Sequence, residues 1–269
     1  TFKEIKPQGD LKPFEFFKTE DRNEIVGINK IKINQMRFYL RYAPNEQYYQ
    51  GRSYKIPIIN EFPIIELTHK MGFEGLLNAD YSFQNSKLEL FKRIYMTPFG
   101  YSDFEFKAGK IWNKVPYPLL ALPSANQSFA YRLSSFNLMN FLEFQNDQYV
   151  SLYINHFFNG YILNKIPLFK RLKLRGVAGF KLLWGNLSDK NDPRKSHDQF
   201  KFPRTRDGDQ ATFEMDEGPY MEGSVGVKNI FKFLRVSVLK RFNYLDHPNI
   251  SSFLGTKGWG VRIRAEFEF

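Results

Sequence analysis

The 269-residue chain has no cysteine, which excludes disulfides, thiolate metal sites and cysteine nucleophiles. It also lacks any apolar run near the ~20 residues that a membrane-spanning helix needs, and its mean hydropathy is −0.46. That combination excludes a helical span but not a β-barrel, whose strands cross in about 9–11 residues with only alternate positions apolar. Residues 1–10 show no charged-then-apolar leader, so either a leader was removed or the chain begins inside a larger protein. The second reading is adopted because the first 33 residues, polar from Lys12 to Lys18 and from Thr19 to Asn23, read as a loop entered from an earlier strand. The length suits one sizeable domain or two small ones.

What the chain does have is aromatic residues, 17% of the total with 29 Phe and 15 Tyr, a composition that favours strands and membrane-interface belts. The alternation is clearest at the end. Trp259, Val261, Ile263, Ala265, Phe267 and Phe269 alternate with Gly260, Arg262, Arg264, Glu266 and Glu268, giving a strand with one apolar and one charged face. The same period sets Leu172, Leu174, Ala178, Phe180, Leu182 and Trp184 against Arg171, Lys173, Arg175 and Lys181. Further segments with this pattern run over 36–42, 62–73, 88–94, 104–108, 150–158 and 220–230, and Leu234, Val236 and Val238 start one more that Lys240 breaks. The count is about nine strands.

Connections alternate in length. Short turns fall near 97–100, 164–170 and 229–233, whereas long polar segments fill 112–147 and 186–218. Outer-membrane barrels show short periplasmic turns and long external loops, and a C-terminus at the periplasmic edge puts each short turn on that side. The expected fold is therefore all-β, an antiparallel transmembrane β-barrel of which 1–269 is the C-terminal portion. An odd strand count cannot close a bacterial single-chain barrel, so a strand is miscounted or lies upstream.

The competing architecture is a soluble sandwich or lipocalin-like barrel with its apolar face inward. Strand length, loop asymmetry and a chain that stops on an aromatic of the apolar face, Phe267 and Phe269, favour the membrane barrel; that ending resembles the C-terminal strand signal of outer-membrane proteins. Arg171, Lys173, Arg175, Lys181, Arg262 and Arg264 are then expected to face the lumen, since lipid exposure costs about 2–4 kcal/mol per Arg or Lys near the midplane. The net charge of +11 is read as structural or luminal. Nucleic acid is not an expected partner, because basic and aromatic residues lie on opposite faces.

Candidate chemistry is sparse. His69, His156, His197 and His247 show no paired ligand spacing, and Ser151 and Ser237 sit on polar faces without an identifiable His-Asp set. Asp207, Asp209, Glu214, Asp216 and Glu217 cluster, but their spacing matches no calcium loop and reads as a solvated loop. Gly223 and Gly226 lie within a strand and form no phosphate-binding loop. No catalytic residue, metal or cofactor is expected.

Several stretches carry more than pattern: AGKIWNKVPYPLL from Ala108, SANQSF from Ser124, SFNLMNFLEFQNDQYVSL from Ser135, HFFNGYILNKIPLFKRLKLR from His156 and YMEGSVGVKNIFKFLRV from Tyr220. Together they resemble the C-terminal barrel region of a Bacteroidota outer-membrane family of unknown function whose N-terminal part is a carboxypeptidase-regulatory-like domain. The resemblance implies an envelope role and a barrel distantly similar to the Omp85 class; it supplies no catalytic residues and implies no peptidase. Three functions are weighed. The first is a non-enzymatic subunit of an outer-membrane complex for protein biogenesis or export, touching lipid and other outer-membrane or surface-exposed proteins. Its lid or partner surface is the loop over 112–147, whose Tyr117, Leu119, Leu120, Phe136, Leu138, Met139 and Phe141 are too apolar for solvent alone. The second is a pore with a basic, anion-preferring lumen. The third is a hydrolase, which needs His69 or His156 beside a serine or carboxylate.

Overall fold

The computed structural model describes residues 1–7, 14–17, 25–52, 54–58, 62–196, 199–204, 208 and 210–266. Their regular structure is almost wholly β, with one five-residue α-helix at Pro167–Arg171. Ten strands form one sheet: β1 (Phe2–Ile5), β2 (Ile31–Tyr42), β3 (Ile64–Gly72), β4 (Phe83–Tyr95), β5 (Tyr101–Ile111), β6 (Gln148–Phe157), β7 (Arg175–Asn186), β8 (Tyr220–Ile230), β9 (Leu234–Arg241) and β10 (Trp259–Ala265). Each pairs antiparallel with the next in chain order. β1 and β10 do not pair, so the sheet of the described residues is open.

Register carries the alternation across strands without slippage over most of the sheet. Leu40, Leu67, Leu88, Ala108, Val150 and Trp184 are successive cross-strand partners on one face. Three residues along, on the other face, Glu105, Tyr153, Lys181, Glu222 and Arg241 are successive partners. A one-residue slip would exchange these two sets, so the pattern that defines the strands also pins their register.

Burial is inverted relative to a water-soluble sheet. The apolar face is open, with Leu40 66%, Trp184 63% and Val225 65% exposed, while Lys181, Glu222, Arg235, Ser237 and Arg241 on the charged face are buried. Among the described residues, the apolar face is the one left uncovered.

Several sequence expectations change. The main sheet of the described residues has ten strands rather than nine, because Phe2–Ile5 pairs with the start of β2; the first 33 residues are thus not simply a loop, and Phe14–Phe17 and Ile25–Ile28 form a separate antiparallel pair within them. β7 begins at Arg175, not Leu172. Pro167 fixes a helical φ at the helix start, and Lys173 adopts a positive φ of 53°, so Arg171 and Lys173 belong to the connection. Lys240 does not break β9, which continues to Arg241; its ammonium group lies 5.2 Å from the Trp259 ring.

Two glycines are required by close approach. Gly100, with φ 99°, turns the chain against the Phe157 carbonyl, where a Cβ would collide with backbone. Gly109 underlies the ring of its cross-strand partner Tyr149, with a Cβ position 2.4 Å from that ring. Gly109→Val is therefore expected to force Tyr149 off its site and lower stability by about 1–3 kcal/mol, read as an earlier transition in thermal unfolding; wild-type stability in that variant would contradict this packing.

Candidate functional site

The feature with the most chemistry is the buried polar face and the loop over 112–147 that covers it. Where the sheet hands the chain to the loop, the Val115 amide donates to Asn191 Oδ1 at 2.8 Å and Asn191 Nδ2 donates to Asp147 Oδ2 at 2.8 Å. The two long loops are therefore joined at their base. Pro116 and Pro118 bracket Tyr117 in a short 3-10 turn, and Tyr117 and Leu120 enter a core with Ile31, Ile33, Phe83, Ile111 and Phe200. Further along, Phe136, Met139 and Phe144 pack against Tyr153, Leu183 and Tyr220 of the sheet. Tyr131 and Leu138 pack with Leu239.

Polar contacts then set the loop's position. The Glu222 carboxylate accepts the Asn137 and Leu138 amides at 2.8 and 3.0 Å and the Tyr220 hydroxyl at 3.1 Å. Lys181 Nζ lies 3.5 Å from Glu222 and donates to the carbonyls of Arg132, at 2.8 Å, and Ser135. Asn137, wholly buried, closes the 132–137 turn: its Oδ1 accepts the Arg132 amide and its Nδ2 donates to the Arg132 carbonyl, both at 3.0 Å. From β10, Arg262 donates to the Asn137 carbonyl at 2.9 Å. A buried ion pair is costly to desolvate, and Lys181 and Glu222 offset that cost by also bonding loop backbone that would otherwise be unpaired.

A second fastening uses Glu143. Arg241 Nη1 and Nη2 donate to its two oxygens at 3.0 and 2.5 Å, and His247 Nδ1 lies 2.6 Å from Oε1. The His247 ring also stacks on Phe213 at 4.0 Å. Glu143 thereby joins three connecting segments to β9. Burial acts to raise its pKa, but hydrogen bonds from His247 and Arg241 outweigh burial and hold the carboxyl below the usual glutamate range.

A model of the C-terminal domain of the family of unknown function DUF5686 matches residues 13–191, about two thirds of the chain. The chain belongs to the DUF5686 family. No curated protein matches the sequence. The matched span of the DUF5686 domain contains the covering loop and the strands on either side of it, while Glu222, Arg241 and Arg262, which fasten the loop, lie beyond it.

Against the sequence expectations, Arg175, Lys181, Arg262 and Arg264 take the charged-face register, and Arg171 and Lys173 do not. Of the apolar loop residues, Tyr117, Leu120, Phe136, Leu138 and Met139 are buried, Leu119 is partly buried, and Phe141 is exposed. Most of the set thus packs on the sheet and is not presented outward. Phe267, Phe269, His197, Asp207 and Asp209 lie outside the described residues. Sequence reasoning missed Glu143, Arg235 and Arg241. The last two were legible as the alternates of Leu234, Val236 and Val238, whereas nothing local marks Glu143.

Both strand histidines do lie beside a serine. His69 Nδ1 is 2.9 Å from Ser86 Oγ and His156 Nδ1 is 2.8 Å from Ser102 Oγ. Each is a direct cross-strand pair on the apolar face, and Ser86 Oγ also accepts the Trp112 indole at 3.0 Å. Among the described residues no carboxylate bonds either imidazole, so neither pair has the third member that orients a catalytic base. The pairs satisfy polar groups on an otherwise apolar surface. Of the acidic loop cluster, Glu214 pairs with Arg194 at 2.6 Å and Glu217 accepts the Tyr244 amide at 2.7 Å. Among the described residues no group of three His, Cys, Asp or Glu is placed to hold a metal.

Glu222→Gln removes the charge that Lys181 and two loop amides share, and is expected to cost about 3–5 kcal/mol. Limited trypsin digestion of the folded protein should then cut faster at Arg132, an exposed side chain whose backbone amide and carbonyl are held by Asn137 and Lys181 in the wild type; an unchanged rate would show that Glu222 does not hold the loop. Glu143 contributes stability that is present above the ordinary glutamate value of 4.5 and is lost as pH falls through its depressed pKa. Acid unfolding of Glu143→Gln should lack that component, and an acid limb identical to wild type would contradict the assignment.

Proposed function

We propose that this chain is the C-terminal part of an outer-membrane β-barrel whose interior is occupied by the loop over 112–147. We further propose that it acts without chemistry of its own, as a subunit of an envelope complex for outer-membrane protein biogenesis or export. The observation that carries the reading is the inverted sheet. An apolar face spanning nine strands is far larger than the few hundred Å² that a soluble monomer tolerates in water, and lipid is the medium that matches it.

The two rims support the same reading. At the short-turn end Tyr95, Phe99, Tyr101 and Tyr161 cluster, with Phe99 and Tyr161 rings 4.7 Å apart. At the long-loop end Lys110 lies 4.6 Å from the Trp112 ring and Lys240 lies by Trp259. Aromatics with snorkelling lysines at two levels are what membrane interfaces favour. The biogenesis role rests on the family resemblance together with a loop that is held by both apolar packing and buried charge. An anion-selective pore needs that loop displaced, so the wild-type protein is expected to be silent in planar bilayers.

Val225→Lys places a charge on the outward face of β8. In a bilayer it should cost about 2–4 kcal/mol and reduce heat-resistant folded protein in the outer-membrane fraction; a change within about 0.5 kcal/mol, normal for a water-exposed site, would sink the membrane reading. Gentle detergent extraction of the full-length protein should bring down stable companions, and migration alone would sink the subunit role.

A further inference from the structure

The charged face holds a second feature that the loop contacts do not absorb. Arg235 and Arg264 are direct cross-strand partners in β9 and β10, and the next pair on the same face is Ser237 with Arg262. Lys228 and Arg235 both approach one ring, at 5.1 and 5.9 Å from the Phe157 centroid. Like charges placed directly opposite across a strand pair repel. Glu266 is the carboxylate that meets them among the described residues, 3.0 Å from Arg264 Nε and 3.8 Å from Arg235 Nη1.

Arg235 is wholly buried and held in a fixed orientation. Its Nε donates to Ser237 Oγ at 3.0 Å, and its guanidinium carbon lies 4.1 Å from the Tyr131 ring centroid of the covering loop. Yet among the described residues Nη1 and Nη2, both buried, have no hydrogen-bond acceptor, and neither does Arg262 Nε. A buried donor left unmade costs about 1–3 kcal/mol, and more when charged. A polar network of this cost is retained where something supplies the acceptors.

We propose that Arg235, with Arg264 beside it, binds an oxyanion on the polar face beneath Tyr131. The chemistry that fits is a phosphate or carboxylate group, because its paired oxygens match the two free Nη donors of a fixed guanidinium and its charge relieves the Arg235 and Arg264 repulsion. Water would meet the donors and leave the repulsion in place. Since Tyr131 caps the site, the bound anion braces the covering loop from below. The site does not depend on membrane placement, because the polar face and its cover are the same in either medium.

The test is calorimetric titration of the full-length protein in detergent, dialysed into a phosphate-free and carboxylate-free buffer, with inorganic phosphate and with acetate as separate arms. One saturable site is expected in at least one arm, together with slower tryptic cutting at Arg132 when it fills. Saturation by phosphate alone assigns a phosphate group, and saturation by acetate alone assigns a carboxylate. Arg235→Lys, which keeps the charge and loses the fork, and Arg264→Gln should each weaken binding at least about tenfold, while Lys240→Gln on the outward face should leave it unchanged. Absence of saturable binding of either anion to folded wild-type protein overturns the proposal. So does undiminished affinity in folded Arg235→Lys and Arg264→Gln, or equal weakening by Lys240→Gln.

Discussion

A strand has two faces, and in β5 to β10 one of them carries Lys107, Glu105, Lys181, Glu222, Arg235, Arg241, Arg262 and Arg264. Covering that face with protein is tolerable only if each charge is given a partner as water leaves. This requirement shapes the rest of the structure. It explains why a loop rich in Phe, Leu and Met is crossed by Asn137, Glu143 and backbone groups aimed at the sheet. It also explains why the loop is fixed at several separate points and not by apolar contact alone, since packing without those acceptors would leave the cations unpaired.

The same constraint sets the outer surface. Once charges point one way, the pleat sends Leu67, Leu88, Val150, Trp184 and Val225 the other, and the serines beside His69 and His156 satisfy the polar groups that fall among them. The two loops over 112–147 and 186–218 meet at Asn191 and Asp147, and Glu143 ties the first of them to β9 and to His247. Motion of the covering loop would therefore disturb connections at the long-loop end before it disturbed the sheet.

Much of this was legible in the sequence because the side-chain period of a strand is two residues and the apolar set is nearly unbroken. Strand existence, the long and short connections and the charged-face position of Lys181, Arg262 and Arg264 follow from that period. The start of β7 was not legible, since Leu172 and Leu174 continue the alternation while Pro167 and the positive φ of Lys173 override it. β1 was missed because four residues are too few to show a period. Lys240 looked like a break because a lysine on an apolar face is unexpected; its stem lies along that face and its ammonium group reaches the Trp259 ring. The pairing of Glu222 with Asn137, 85 residues away, has no local signature at all.

The absence of cysteine makes the central claim directly measurable. Single cysteines introduced along β7 to β9, at Leu182, Trp184, Val225 and Val238 on one face and at Leu183, Ser224 and Ser237 on the other, can carry nitroxide labels in protein reconstituted into lipid bilayers. The account gives high accessibility to oxygen and low accessibility to a water-soluble nickel reagent for the first set, with the second set shielded from both beneath the covering loop. High nickel accessibility along the first set, as a soluble sheet would give, would contradict it.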